Sequence, residues 1–300
     1  MKPLIVILGP TAVGKTNLAA HFAYENNGEV ISADSRQVYK GMNIGTGKDL
    51  SDYIFVDKKI PYHLIDILNA GERYDLFHFQ QDFYKAYQDI QQRGKLPILC
   101  GGTPLYVETA LAKKQLQFVP QNKKLRESTA KLTQNELNAL LRKLKPKLHN
   151  TTDLIERERT IRALEIAQYE QKHPKANSIV KANIIFGIYM ERQALRQRIK
   201  ERMIQRFKDG MIEEVEDLMK EGLTYDELQY YGLEYRFIAQ HIKGELNKKE
   251  IMEKLLQAIR RFAKKQMTWY RRMERKGFKI HWIPAEIPIE EKVIFMKSKL

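Results

Sequence analysis

Gly9-Pro10-Thr11-Ala12-Val13-Gly14-Lys15-Thr16 stands between an apolar run, Leu4–Leu8, and a helical pattern, Thr16–Tyr24. The octet matches G-x-x-x-x-G-K-[ST], in the strand–loop–helix setting that this motif requires. Its glycines let successive backbone N–H groups turn inward around phosphate oxygens, and the helix N-terminus adds a favourable dipole. Lys15 supplies a point charge, and the Thr16 hydroxyl suits a Mg²⁺ ion. Gly9, Pro10, Thr11, Ala12, Val13, Gly14, Lys15 and Thr16 are therefore the expected pyrophosphate site, with Thr16 as the metal-holding residue.

Beyond the loop, the apolar runs Val30–Ala33, His63–Ile67 and Leu96–Cys100 read as buried strands, and Phe77–Gln92 reads as a helix. Alternating strands and helices predict an α/β fold, a P-loop NTPase-like parallel sheet flanked by helices. The pattern changes near Ala112, where Leu-rich helical spacing such as Leu137-Leu140-Leu141-Leu144 takes over. Strand character returns at Ile184–Met190 and again at Lys279–Ile283. The expected organisation is a catalytic core from residues 1–112 and 180–300, interrupted by an all-helical insertion over 113–179. The insertion begins with a basic run, Lys113–Lys147, in which Lys123, Lys124, Arg126, Lys131, Arg142, Lys143, Lys145 and Lys147 face only Glu127 and Glu136.

The whole chain carries 52 Lys and Arg against 37 Asp and Glu, a net charge of +15. That excess favours a polyanionic partner, nucleic acid ahead of an anionic membrane surface. A single cysteine, Cys100, excludes an internal disulfide and reads as a small buried strand residue. No Cys/His group has zinc-site spacing. The apolar start Met1–Leu8 is cut off by Gly9-Pro10, too short for a signal peptide, and no stretch is long enough to span a bilayer. A cytoplasmic protein that does not use a membrane is the expectation.

The loop alone does not say what happens to the phosphates. An ATPase usually places a Mg²⁺-binding acid at the end of a buried strand. Here Leu96–Cys100 ends in Gly101-Gly102-Thr103, which weighs against ATP hydrolysis. Two other strands end in acids, Asp34 and Asp66. Carboxyl ends of parallel strands form the ligand crevice, so Asp34 is a candidate general base; a helix N-cap is the competing role.

Several segments together resemble the tRNA dimethylallyltransferases (tRNA isopentenyltransferases). They are Gly9–Thr16, Ile31-Ser32-Ala33-Asp34-Ser35-Arg36-Gln37-Val38-Tyr39 running on to Thr46, His63-Leu64-Ile65-Asp66, Gly101-Gly102-Thr103-Pro104-Leu105-Tyr106, Arg159-Thr160-Ile161-Arg162-Ala163-Leu164-Glu165, and Ala263-Lys264-Lys265-Gln266-Met267-Thr268-Trp269-Tyr270-Arg271. They keep the family's order and span nearly the whole chain. The resemblance implies transfer of a dimethylallyl group from dimethylallyl pyrophosphate to N6 of adenosine 37, beside the anticodon, with Mg²⁺ as cofactor. It implies that the P-loop cradles the donor's pyrophosphate, that Asp34 takes the amine proton, that Thr103 hydrogen-bonds the bridging oxygen, and that Arg206 neutralises the leaving group. It further implies that Asp34, Ser35, Arg36 and Gln37 meet the target base and its neighbours. Arg126, then Glu158, Arg159, Thr160, Ile161 and Arg162, then Tyr231, Gly232, Leu233, Glu234, Tyr235 and Arg236, face the tRNA anticodon stem-loop. A monomer is expected. The chain departs from the family pattern at Glu234, where many members carry Gly, and at Glu156, where Asp is common; the zinc finger of eukaryotic members is absent.

The helix Lys248–Lys276 carries an apolar stripe, Met252, Leu255, Leu256, Ile259, Phe262, Met267, Tyr270 and Met273, which reads as core. Its basic face, with Arg260, Arg261, Lys264, Lys265, Arg271 and Arg272, suits phosphate contact. Arg192, Arg196, Arg198 and Arg202 are expected to pair with acids such as Glu191 and Glu201. The rival readings are an enzyme of free adenine nucleotides, a P-loop kinase with an arginine-rich lid, and a noncatalytic RNA-binding module. The two basic regions weigh against the first, the Gly101-Gly102 strand end against the second, and intact Asp34, Thr103 and Arg206 against the third.

Overall fold

The computed structural model describes residues 2–55, 58–146 and 151–300. The chain divides into two compact units, one made of Met1–Leu111 with Ile179–Leu300 and one of Ala112–Ser178.

The first unit is built on a six-stranded sheet. Its strands are β1 (Leu4–Leu8), β2 (Gly28–Ser32), β5 (Tyr62–His63), β6 (Leu96–Gly101), β7 (Asn183–Tyr189) and β8 (Ile280–Pro284), in the order β5-β2-β6-β1-β7-β8. Every pairing is parallel. All residues of β1, β2 and β6 are buried, which explains their unbroken apolar reading: a parallel strand covered on both faces has no polar side to show. Alternate residues serve opposite cores. Leu4, Val6, Leu8, Ile31 and Leu99 pack on one face, and Ile5, Ile7, Val30, Ile98 and Cys100 on the other. The Cys100 thiol is pushed up to about 12 by burial, so it is an inert packing residue.

Helices α1 (Lys15–Glu25), α2 (Leu76–Gln92) and α3 (Pro104–Ala110) follow in the amino-terminal part. After β7 come α7 (Arg192–Lys208), α8 (Met211–Lys220), α9 (Tyr225–Tyr230), α10 (Leu233–Ile242), α11 (Lys248–Arg275) and, after β8, α12 (Ile289–Lys297). A small antiparallel pair, β3 (Ile54–Phe55) with β4 (Lys58–Lys59), precedes β5 and has no counterpart in the sequence reading.

The strand expected over His63–Ile67 needs correction. Only Tyr62–His63 pairs with β2, because Leu64 (φ 61) and Asp66 (φ 55) adopt left-handed conformations that end a strand. Asp66 is an ion-pair partner of buried Lys48, whose Nζ also donates to the Tyr39 carbonyl and to Asn43 Oδ1. Asp66 therefore anchors a loop and is not a second candidate base.

The second unit holds α4 (Lys123–Thr129), α5 (Gln134–Leu144) and α6 (Arg157–Lys172) around Leu137, Leu141, Ile161, Leu164 and Ala167. Thr133 and Glu136 cap α5 reciprocally, satisfying two otherwise orphaned N–H donors. Lys113, Lys123, Lys124, Lys131, Arg142 and Lys143 are exposed; Lys147 lies outside the described residues. Among the described residues no helix is long and apolar enough to cross a membrane.

Candidate active site

The parallel register brings the carboxyl ends of β1, β2 and β6 to one edge: Leu8 lies opposite Gly101, and Ser32 opposite Cys100. The loop Gly9–Gly14 leaves β1 there. Ala12 (φ 68) and Gly14 (φ 79) are left-handed, which turns the loop back on itself before α1 begins at Lys15. Lys15 Nζ donates to the Pro10 carbonyl at 2.7 Å, so the ammonium is held at the loop's own mouth. Burial pushes its pKa down to about 8.

Helix α11 fixes this loop from its inner face. Gln266, only 2% exposed, accepts the Thr11 N–H through Oε1 (2.9 Å) and donates through Nε2 to the Gly102 carbonyl (2.6 Å). One side chain thus ties the phosphate loop to the turn after β6. The Tyr270 hydroxyl donates to the Gly9 carbonyl at 3.3 Å.

Asp34 is placed by the backbone around it. The Ala33 N–H donates to the Cys100 carbonyl (2.7 Å), and the Thr103 N–H donates to the Ala33 carbonyl (3.1 Å). This contact requires glycine at 101, where a Cβ would stand 2.3 Å from the Ala33 carbonyl carbon. Asp34 and Thr103 consequently emerge side by side. Thr103 Oγ1 accepts the Ser35 N–H at 3.0 Å, and Asp34 Oδ1 accepts the Arg36 N–H at 3.0 Å. No helix follows Asp34, since residues 35–38 run through a bend into a turn, and the N-cap role is thereby excluded.

Two clefts meet at this point. The first, about 460 Å³, is polar and includes Lys15, Thr16, Asp49, Asp52, Arg198 and Arg202 in its wall. The second, about 430 Å³, is walled by Ser35, Arg36, Thr103, Arg206, Glu234 and Arg236, with Leu233, Ile259 and Phe262 giving it an apolar side. Thr11, Lys15, Asp34, Thr46, Gly102 and Arg202 belong to both. Asp34 stands where the two join. Phe262, expected in the core, is 41% exposed and lines the second cleft.

Arg206 is 8% exposed, with Nη1 4.0 Å from Glu234 Oε1 and a buried Nη2 that has no hydrogen-bond partner among the described residues. Its guanidinium lies so close to Gly47 that a Cβ there would come within 1.7 Å of Nη2. Burial pushes the Glu234 carboxyl up, against the pull of Arg206. Arg202 Nη2 donates to Thr11 Oγ1 at 2.8 Å; burial, then Arg206, pushes its pKa down to about 10, so it stays cationic at neutral pH. The loop bearing Gly47 is held from α8. Glu214 accepts the N–H groups of Asn43, Ile44 and Gly45 at 2.8, 2.7 and 3.0 Å, and the Tyr235 hydroxyl at 2.8 Å. Gln37 joins the same loop, donating to the Gly47 carbonyl at 3.2 Å.

The expected pairing of the α7 arginines with nearby acids does not hold for Arg198 and Arg202, which line the first cleft two turns and one turn, respectively, before Arg206. Glu191 instead caps α7, and Glu201 accepts from Gln197. The i, i+4, i+8 spacing of the three arginines was the available signal. Glu214 carried none, because an isolated polar residue in a helix does not announce its partner, and Gln266 lies in the Ala263–Arg271 segment of the resemblance without any sign there of its bonds to Thr11 and Gly102.

The residues expected to face RNA divide. Ser35, Arg36, Gly232, Leu233, Glu234 and Arg236 line the second cleft, whereas Gln37 lines the first. Tyr231 also borders the second cleft although it is largely buried, with its hydroxyl accepting the Gly71 N–H, whereas Tyr235 is buried with its hydroxyl on Glu214 and is an internal support. In the helical unit Glu158 and Arg159 are exposed, but Thr160 and Ile161 are core residues. Arg126 pairs with buried Glu165 and with Glu158, and Arg162 pairs with Glu165 and donates to the Val119 carbonyl. These two arginines brace the helices.

Thr16, Asp49 and Asp52 put hard oxygen donors into the lining of the first cleft, the chemistry that suits Mg²⁺. Among the described residues no three His, Cys, Asp or Glu side chains converge as a ligand set.

The family model described as IPP transferase matches residues 37–273, and that described as Isopentenyl transferase matches residues 2–60. The chain is 49% identical to a Bacteroides fragilis protein named tRNA dimethylallyltransferase 2, over 99% of this chain and 97% of that one. It is 50% identical to tRNA dimethylallyltransferase 1 of Geotalea daltonii, over 96% and 93%. Among solved structures, the tRNA isopentenylpyrophosphate transferase of Bacillus halodurans is similar with a TM-score of 0.72 and 30% identity, over 100% of this chain and 95% of that one. A eukaryotic dimethylallyltransferase solved acting on tRNA shares the fold, with a TM-score of 0.78 at 23% identity over 95% and 74%.

Proposed function

The chain belongs to the IPP transferase family, and from that membership and the site's geometry we propose that it transfers a dimethylallyl group from dimethylallyl pyrophosphate to N6 of adenosine 37 in tRNA. The observation that carries this reading is the position of Asp34, shared by a polar cleft that holds the P-loop and a part-apolar cleft walled by Ser35 and Arg36. A pyrophosphate in the first cleft would meet Lys15, Arg202 and the loop N–H groups. The dimethylallyl carbon would then point toward Asp34 and Thr103.

The adenine N6 lone pair attacks the first carbon of the dimethylallyl group as the carbon–oxygen bond breaks. The bond's electron pair leaves with pyrophosphate. Thr103 donates its hydroxyl proton as a hydrogen bond to the bridging oxygen, and Arg206 and Lys15 balance the growing charge. Preorganised cations in a desolvated site stabilise such a leaving group more than they stabilise the ground state. Asp34 accepts the proton from the alkylated nitrogen, giving neutral N6-dimethylallyladenosine. Mg²⁺, held through Thr16, would add charge on the pyrophosphate as a Lewis acid. The target base leaves its stack to enter the second cleft, as bases of single-stranded loops can. Exposed lysines of the helical unit contribute phosphate contacts to the anticodon stem-loop.

The test is to treat anticodon stem-loops carrying adenosine or guanosine at position 37 with enzyme and donor, then to analyse the nucleosides. Dimethylallyladenosine from the adenosine substrate alone is expected. Modification of both, or at another base, would contradict the assignment.

A further inference from the structure

Tyr230, at the end of α9, carries two guanidinium groups. Arg36 lies 4.9 Å and Arg73 lies 4.8 Å from the centroid of its ring, and the Tyr230 hydroxyl donates to the Tyr74 carbonyl at 3.2 Å. The quadrupole of the ring attracts each cation. Neither arginine has a carboxylate within 4.0 Å among the described residues, although acids are nearby in sequence and space. Glu72 accepts the Asn69 N–H, Asp75 caps α2 and pairs with His78, and Glu227 closes the capping box of α9 with Thr224 while attracting Arg73 only at longer range. Arg36 is also two residues from Asp34 and lines the second cleft. Arg73, exposed, extends the same positive charge away from that cleft.

We propose that Arg36, Tyr230 and Arg73 form a clamp for one phosphodiester of the RNA substrate, next to the base that enters the second cleft. Planar guanidinium groups match phosphate oxygens in a two-point geometry, and an anion beside the ring offsets positive charge that no close carboxylate neutralises. The ligand is the RNA backbone and not the donor's pyrophosphate, because the P-loop lines the first cleft and none of Arg36, Arg73 and Tyr230 does. Arg73 is thus an RNA-positioning residue in a segment, Gly71-Glu72-Arg73, outside the motifs that carry the family resemblance. The inference rests on the proposed RNA substrate.

The experiment measures tRNA affinity against salt, with apparent KM for dimethylallyl pyrophosphate alongside, for the parent, Arg73→Ala, Arg73→Lys and Tyr230→Leu. The expected result for Arg73→Ala is a roughly tenfold weaker tRNA affinity and a log–log salt slope smaller by about 0.7, the value for one lost contact to a single strand. The donor KM stays at the parent value. Arg73→Lys keeps the slope and loses part of the affinity, and Tyr230→Leu weakens tRNA binding, with no further loss when it is combined with Arg73→Ala. An unchanged slope in a folded Arg73→Ala protein overturns the clamp. A raised donor KM with unchanged tRNA affinity overturns it too, by assigning Arg73 to pyrophosphate. If the parent binds no tRNA and prenylates free AMP, the proposed function itself has failed, and the clamp with it.

Discussion

Asp34 reaches its position through a backbone contact that only Gly101 allows, and its carboxylate stands free of any helix end. The amide of Asp34→Asn can still take the Arg36 N–H but cannot accept a proton. The single-turnover rate should therefore fall on the order of 10²–10⁴, with donor and tRNA affinities close to the parent values. A stable variant that modifies tRNA at the parent rate would end the general-base assignment. Lys15 gives a pH test. Its ammonium titrates at about 8 in the free protein, so the charge is present below that pH and lost above it. Donor affinity should be greatest below about pH 8 and fall as pH rises to 9.5. Calorimetry above pH 8 should also show proton uptake on binding, because bound pyrophosphate restores the charge. A flat affinity across that range would remove Lys15 as the principal cation. At this scale the sequence was readable where a motif dictates a conformation, as in Gly9–Thr16. It was silent where a side chain works through a distant partner, as Gln266 and Glu214 do.

At the scale of elements, the reading succeeded for strands buried on both faces and failed where local conformation ends them. No apolar count could show that Leu64 and Asp66 are left-handed and cut β5 to two residues. The apolar stripe of α11 was legible as a periodicity, but the helix also turns Phe262 toward a cleft and Gln266 into the core. Loop 43–47 is held in the same indirect manner. The Glu214 carboxylate gathers three N–H groups, and the loop then supplies Gly47 to Arg206. Glu214→Ala should let this loop drift and misplace Arg206, lowering the single-turnover rate by roughly 10²-fold, as an ångström-scale displacement can. Glu214→Gln, which keeps one acceptor oxygen, should recover part of it. A lower melting temperature with an unchanged single-turnover rate would make Glu214 a fold residue only.

For the whole molecule, the net charge of +15 pointed to a polyanion, but charge alone did not say which arginines are free. The basic run of the helical unit sorts into two kinds. Arg126 is bound to Glu165 and Glu158, while Lys123, Lys124 and Lys131 are exposed. Neutralising those three lysines together should raise the apparent KM for tRNA and flatten its salt dependence by about one unit of slope per lost phosphate contact. An unchanged slope would exclude them from phosphate contact. Arg126→Ala should instead lower stability by about 1.5–3 kcal/mol, because buried Glu165 loses one charged partner but keeps Arg162 and the Asn122 N–H, and this is read as a lower melting temperature. The central claim is that one site joins a P-loop-bound dimethylallyl donor to an RNA base. It is tested most directly by supplying donor labelled in the dimethylallyl group together with both tRNA and AMP, and following the label. Incorporation into tRNA with AMP unlabelled is the predicted result; label in AMP with none in tRNA would contradict the account.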